Sequence, residues 1–253
     1  MKQNKGLYGV VLILSVILTA TVVFFAACDR FGTGGPDATA AVTEQPTPEP
    51  TPEALTYKEI TLLSAGDIMY HMPQVRAAAT GNGYDFTGNM QYVKPFVEAA
   101  DYAVVNLETT LAGTENGYSY SGFPTFNSPD STVDSIRYAG FDMLLLANNH
   151  CYDTGTWGLK RTLQIVSEKG LAHLGTRADT NGKTYQVVNV NGVQVGLLNY
   201  TYEIGSDGKV GINGITVADA DIPLIDTFNE NNLDAFYEAV RTRMAELKSE
   251  GAD

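Results

Sequence analysis

From residue 57 onward the chain alternates short apolar runs with polar clusters. Three runs lead straight into chemistry-bearing residues. Ile60 to Ala65 ends at Gly66-Asp67, Tyr102 to Leu107 ends at Glu108, and Met143 to Ala147 ends at Asn148-Asn149-His150. Unbroken apolar runs of this length predict parallel strands covered by helices on both faces. Between them the spacing turns helical. A short helix is predicted over 73–80 and another over 90–100, where Val93, Phe96 and Val97 share a face and Pro95 is tolerable only in the first turn. A third covers 131–138. A fourth, over 154–169, turns Leu159, Thr162, Leu163 and Val166 inward, with Asp153 or Thr154 as its cap and Gly170 as its stop.

Past residue 170 the pattern changes. A short strand is predicted over 172–174. Strands over 184–190 and 193–200 flank Asn191-Gly192, a strong hairpin signal. A last helix, over 232–249, lines up Leu233, Phe236, Val240, Met244 and Leu247 on one stripe. Parallel strands followed by antiparallel pairing predict a mixed α/β fold. Gly251-Ala252-Asp253 resembles Ala99-Ala100-Asp101 and Gly140-Phe141-Asp142, the junctions that lead into the second and third strands. The expectation is therefore an amino-terminal fragment of a longer domain, its carboxyl-terminal part missing. Residues 112–129 form a long loop rich in Gly, Ser and Tyr. Its Tyr118, Tyr120, Phe123 and Phe126 either line a pocket or pack locally over the core.

The first 56 residues read differently. Lys2 and Lys5 precede an uncharged stretch whose strongly apolar part, Leu7 to Ala27, is 21 residues long. At ~1.5 Å per residue that spans a bilayer, and the basic flank places the amino terminus in the cytoplasm. The run closes on Phe25-Ala26-Ala27-Cys28, which resembles a bacterial lipoprotein box with Cys28 as the lipidated residue; the alternative is an uncleaved membrane anchor. Either reading makes residues 1–28 a signal peptide or anchor and the rest extracytoplasmic. Residues 29–56, with Thr47-Pro48-Glu49-Pro50-Thr51-Pro52, form an extended linker, and 57–253 the folded domain.

Composition narrows the function. A net charge of −13 argues against nucleic acid as a partner and against docking of the domain on an anionic bilayer. If Cys28 carries lipid, Cys151 is left without a disulfide partner. Its place next to His150 suggests either a catalytic thiol or a small packed residue at a turn. The three strand ends would gather Asp67, Glu108, Asn149 and His150 at one rim, because ligands of open α/β sheets sit beyond the strands' carboxyl ends. Oxygen donors with one imidazole suit divalent metals. Taken singly, Asp67 could cap a helix, the asparagines could satisfy backbone groups, and His150 could be a core residue. His173, on a predicted strand, reads as structural.

Three motifs stand in order: Ser64-Ala65-Gly66-Asp67-Ile68-Met69, Asn106-Leu107-Glu108-Thr109-Thr110-Leu111, and Ala147-Asn148-Asn149-His150 with Asp153 and Gly155. On these, residues 63–175 resemble the CapA family of poly-γ-glutamate capsule biosynthesis. That family is in turn similar to calcineurin-like metallophosphoesterases, two packed sheets flanked by helices. The resemblance implies Asp67 as a metal carboxylate, Glu108 as the carboxylate bridging two metals, Asn149 as an amide ligand and His150 as the catalytic acid. His71, Asn106, Asn148 and Asp153 are further candidates. It implies divalent ions (Mn, Fe or Zn) as cofactors. It also implies an anionic cell-envelope polymer, or the membrane synthase complex that makes it, as partner. The expected function is that of a tethered metal-dependent hydrolase or transferase in capsule synthesis. The alternative is a non-catalytic partner of a polymer synthase with a degenerate metal pocket. Three departures stand out: Met69 stands where the superfamily usually has a histidine two residues after the first aspartate, Asn106 and Glu108 replace paired aspartates, and the histidines usual near the carboxyl end are not among the three here.

Overall fold

The computed structural model describes residues 57–205 and 208–253. The expected anchor or signal segment, Cys28 and the 29–56 linker lie outside the described residues. Among those described, no helix is long and apolar enough to cross a membrane.

The fold is mixed α/β. β1 (Leu62–Ile68) leads through α1 (Met72–Ala77) and the small hairpin β2 (Ala79–Thr80) and β3 (Gly83–Tyr84) to α2 (Thr87–Met90) and α3 (Lys94–Val97). β4 (Tyr102–Leu107), α4 (Ser131–Ala139), β5 (Met143–Leu145), α5 (Gly155–Glu168) and β6 (Ala172–Leu174) follow. The four longer-range strands form one parallel sheet in the order β1-β4-β5-β6. Ala103, Val105 and Leu107 of β4 are buried, and pack with Val133 and Ile136 of α4 and Leu163 and Val166 of α5 into the main core. The inward set expected for α5 is buried as a whole, and Gly170 ends the helix with φ +73.

Then come the antiparallel hairpin β7 (Gln186–Val190) and β8 (Val193–Leu197), β9 (Thr201–Glu203), and the tight hairpin β10 (Gly211–Ile212) and β11 (Ile215–Thr216). β12 (Thr227–Asn229) pairs parallel with β9, and α6 (Leu233–Ser249) closes the described chain. Asn191 and Gly192 take φ of 50 and 85, as the predicted two-residue turn requires. A second small core, with Cys151, Tyr152, Leu159, Ile212 and Ile225, joins the β10–β11 hairpin to the segment after β5.

Three expectations are corrected. The helix predicted over 90–100 is two short helices, and α3 restarts at Lys94. Pro95 then falls in a first turn, where its missing N–H costs nothing. β1 runs on through Ile68, so Asp67 lies inside the strand and not beyond it. On the α6 stripe only Leu247 is buried. Leu233 and Met244 are 38% and 51% exposed, while Phe236 stacks on Phe228 at 4.7 Å and meets Tyr200 edge-on at 5.2 Å.

Candidate functional site

Asp67 reaches the rim of the sheet through a bulge. β1 and β4 pair Ala65 with Val105 and then Asp67 with Asn106, so Gly66 is skipped. An extra residue in one strand re-aims the side chain that follows it. Here it puts Asp67 opposite Asn106, and the Asn106 amide donates to Asp67 Oδ1 at 2.8 Å. The same NH2 group also donates to Glu108 Oε2 at 3.2 Å. Its orientation is set from behind: Asn148 Nδ2 donates to Asn106 Oδ1 at 2.9 Å and to the Leu107 carbonyl at 2.8 Å. Since Asn106 Oδ1 is taken as an acceptor, its NH2 must face the carboxylates. Asn148 Oδ1 then accepts the His150 backbone N–H at 3.0 Å, which shapes the turn carrying Asn149 and His150.

The base of that turn is clipped to the segment between β8 and β9. The Asn199 side chain accepts from the Ala147 N–H at 2.8 Å and donates to its carbonyl at 3.3 Å. Gly175, with φ +96, lies so close that a Cβ there would stand 2.7 Å from Ala147 N.

His150 is buried, and its ring is held from three directions. Nδ1 lies 2.6 Å from Asp153 Oδ2. Asp153 Oδ2 also accepts the Phe126 N–H at 2.6 Å, and its Oδ1 accepts from Asn213 Nδ2 at 2.8 Å. Asn213 Nδ2 stands 3.2 Å from His150 Nδ1, but its two hydrogens are used by Asp153 and by the Pro124 carbonyl at 2.9 Å. Nδ1 therefore carries the proton that bonds Asp153. Nε2 stands on the other side of the ring, 3.8 Å from Glu108 Oε1. Phe126 sets its ring edge-on to His150 at 4.7 Å.

The two carboxylates share a proton unequally. Glu108 is pushed up to about 7, first by burial and then by Asp67 beside it, with the Asn149 amide acting the other way. Asp67, more exposed, is held below its usual range, first by the Asn106 amide and then by the bond from Glu108. One of two adjacent carboxylates staying protonated near neutrality is the expected result of like charges at close range.

Asp67, Asn106, Glu108, Asn148, Asn149, His150 and Asp153 thus form one connected site. His71 stands apart: it is exposed at the start of α1, its N–H bonds Gln74 Oε1 at 2.8 Å, and its ring meets Phe126 at 5.2 Å. His173 lies on β6, where burial lowers its pKa. Cys151 is buried, and burial pushes its thiol up to about 12, which leaves no thiolate for nucleophilic chemistry at neutral pH. Asn213 and Asn199 were missed from sequence. Asn213-Gly214 between Ile212 and Ile215 carries the two-residue turn signal, and the φ values of 50 and 73 agree with it.

Among the described residues, no group of three or more His, Cys, Asp and Glu side chains stands as a ready metal site. The donor set nevertheless fits a divalent ion once the amide is counted. Two carboxylates bond one NH2 group, burial and the neighbouring carboxylate raise one of them to about 7, and an imidazole nitrogen stands 3.8 Å from it.

The profile of the bacterial capsule synthesis proteins, PGA_cap, matches residues 61–253. The chain belongs to this family. It is 31% identical over 149 residues to the capsule biosynthesis protein CapA of Bacillus anthracis, covering 57% of this chain and 35% of that protein. It is 29% identical over 180 residues to the PGA biosynthesis protein CapA of Bacillus subtilis strain 168, covering 68% of this chain and 46% of that protein. The chain thus spans less than half the length of these CapA relatives. The residues that build the site all fall within the span matched by the PGA_cap profile.

Proposed function

We propose that the protein acts in the synthesis, export or attachment of a poly-γ-glutamate-type capsule, with the Asp67–Glu108–Asn149–His150 site as a divalent-metal centre for hydrolysis or group transfer. The observation that carries this is the Asp67–Glu108 pair, two carboxylates joined through one Asn106 amide group, with His150 Nε2 3.8 Å from Glu108 Oε1. Membership in the PGA_cap family and the names of the two CapA relatives support the capsule reading. Asp67, Glu108 and the Asn149 amide would hold the ion (Mn, Fe or Zn), which when bound would supply Lewis-acid activation of water or an acyl or phosphoryl oxygen. His150 would move a proton at Nε2, with Asp153 fixing its ring through Nδ1. The amino-terminal segment, through Cys28 or an uncleaved helix, would tether the domain outside the cytoplasmic membrane beside an anionic polymer and its synthase.

One observation favours a second reading. The Asn106 NH2 group bonds both carboxylates, and Met69 stands where the superfamily has a histidine. A site so filled could serve as a binding partner of a membrane synthase with no chemistry of its own. Metal titration of the whole protein separates the two. The expected result is binding of Mn2+ or Zn2+ that Glu108→Gln weakens at least about tenfold, an effect of roughly 1.4 kcal/mol or more, while His150→Ala retains the metal. Equal loss in both variants would overturn the division of labour. No metal uptake by the unsubstituted protein would favour the binding partner.

A further inference from the structure

The His150–Asp153 pair is completed by a side chain 60 residues beyond Asp153. The Asp153 side chain has no exposed surface, so its carboxylate must find its donors inside the protein. Oδ2 takes the Phe126 N–H and faces the His150 ring. Among the described residues, Oδ1 takes the Asn213 amide alone. The same amide donates to the Pro124 carbonyl, so one side chain ties the carboxylate to the segment that supplies Phe126.

The hairpin that carries Asn213 is anchored by other groups. Ile212 and Val217 are buried with Cys151, Tyr152 and Leu159 in the second core, and the Ala218 N–H donates to Tyr152 OH. Asn213 sits at the tip with φ 50, a conformation that glycine adopts as readily as asparagine. Removing its side chain therefore leaves the turn and its packing in place. What is lost is the donor to Oδ1. A buried carboxylate oxygen without a donor is costly, because the charge stays while its partner goes. The carboxylate would rotate to share its remaining donors, and the imidazole would lose its fixed partner at Nδ1.

We propose that Asn213 is a positioning residue of the site. It holds Asp153 in the orientation that keeps a proton on His150 Nδ1 and leaves Nε2 on the side of Glu108. Its bearing on chemistry rests on the proton-transfer role proposed for His150; the arrangement itself does not.

The test is nuclear magnetic resonance of the whole protein with its histidines labelled with the heavy nitrogen isotope. The His150 signals are assigned by their loss in His150→Gln. The unsubstituted protein should show the Nδ1–H tautomer with a slowly exchanging proton. Asn213→Gly should speed that exchange at least about tenfold. Ile212→Val trims the hairpin core but keeps the amide, and should leave the exchange within about twofold. An unchanged Nδ1–H in Asn213→Gly would overturn the proposal. So would equal acceleration in both variants, which would make Asn213 a packing residue only. Mn2+ affinity is the second readout. Asn213→Gly should retain it within about twofold, because the residue works through Asp153 and His150 and not through Asp67, Glu108 or Asn149. A loss of about tenfold or more would contradict that assignment. If the unsubstituted protein takes up no Mn2+, the metal reading fails, and the resonance result alone decides the role of Asn213.

Discussion

Glu108 carries a consequence that its neighbours do not. Its carboxyl has a pKa of 4.5 when free and about 7 in the fold, so the folded state holds the proton more tightly than the unfolded chain. The contribution to stability is full below pH 4.5 and is lost as the pH rises through 7. Asp67, shifted downward, acts in the opposite sense and only at lower pH. Glu108→Gln keeps the shape and removes the titration. In chelator, the variant should gain roughly 2–3 kcal/mol relative to the parent between pH 4.5 and 8, read by urea unfolding at each pH. A parent and variant that track each other would show that burial does not hold the proton on Glu108. At this scale the sequence was informative where a polar residue closes an apolar run, as at Asp67, Glu108 and Asn148 to His150. It was silent on Asn213. A two-residue turn signal says where the chain reverses but not which side chain its tip will touch, here one 63 residues earlier.

The elements place these residues through local backbone devices that hydrophobic pattern alone does not reveal. The Gly66 bulge turns Asp67 toward Asn106, and the apolar run gave no hint of a skipped residue. Pro95 is tolerable in a first turn, yet the apolar spacing around it suggests one continuous helix. The backbone resolved the conflict by splitting the helix. The α6 stripe was legible as periodicity, but periodicity does not say what covers a face. Gly175 combines a positive φ with a close approach at the site. Its φ is +96, and a methyl group there would stand 2.0 Å from Asn199 Oδ1, the atom that holds the Ala147 N–H. Gly175→Ala should cost about 3 kcal/mol and displace the Asn148–His150 turn. Gly170→Ala is the control. Its φ is +73 but nothing lies within 4 Å, so the cost should stay near 1 kcal/mol. Equal costs in urea unfolding would mean that the Asn199 clip contributes nothing to the turn.

Across the whole molecule, the parallel sheet and its order of helices could be read ahead because buried strands and α5 carry strong, unmixed patterns. The loop over 112–129 could not, since its order comes from side-chain bonds across the loop and to distant segments. Asn127 Nδ2 bonds the carbonyls of Gly113 and Ser119, Tyr118 OH bonds the Thr154 carbonyl, and Asn213 bonds that of Pro124. Glu115, Asn116 and Gly117 are exposed at the tip, between these anchor points. The loop is therefore fastened on both sides of this tip, and its covalent continuity there is redundant. A glutamate-specific protease that cuts after Glu115 should give two pieces that separate in detergent yet migrate as one body under native conditions. Separation under native conditions would mean that the peptide link itself holds the loop in place. A severed but assembled molecule would offer two new chain ends, close in space. These are natural positions for opening the chain there and rejoining it elsewhere.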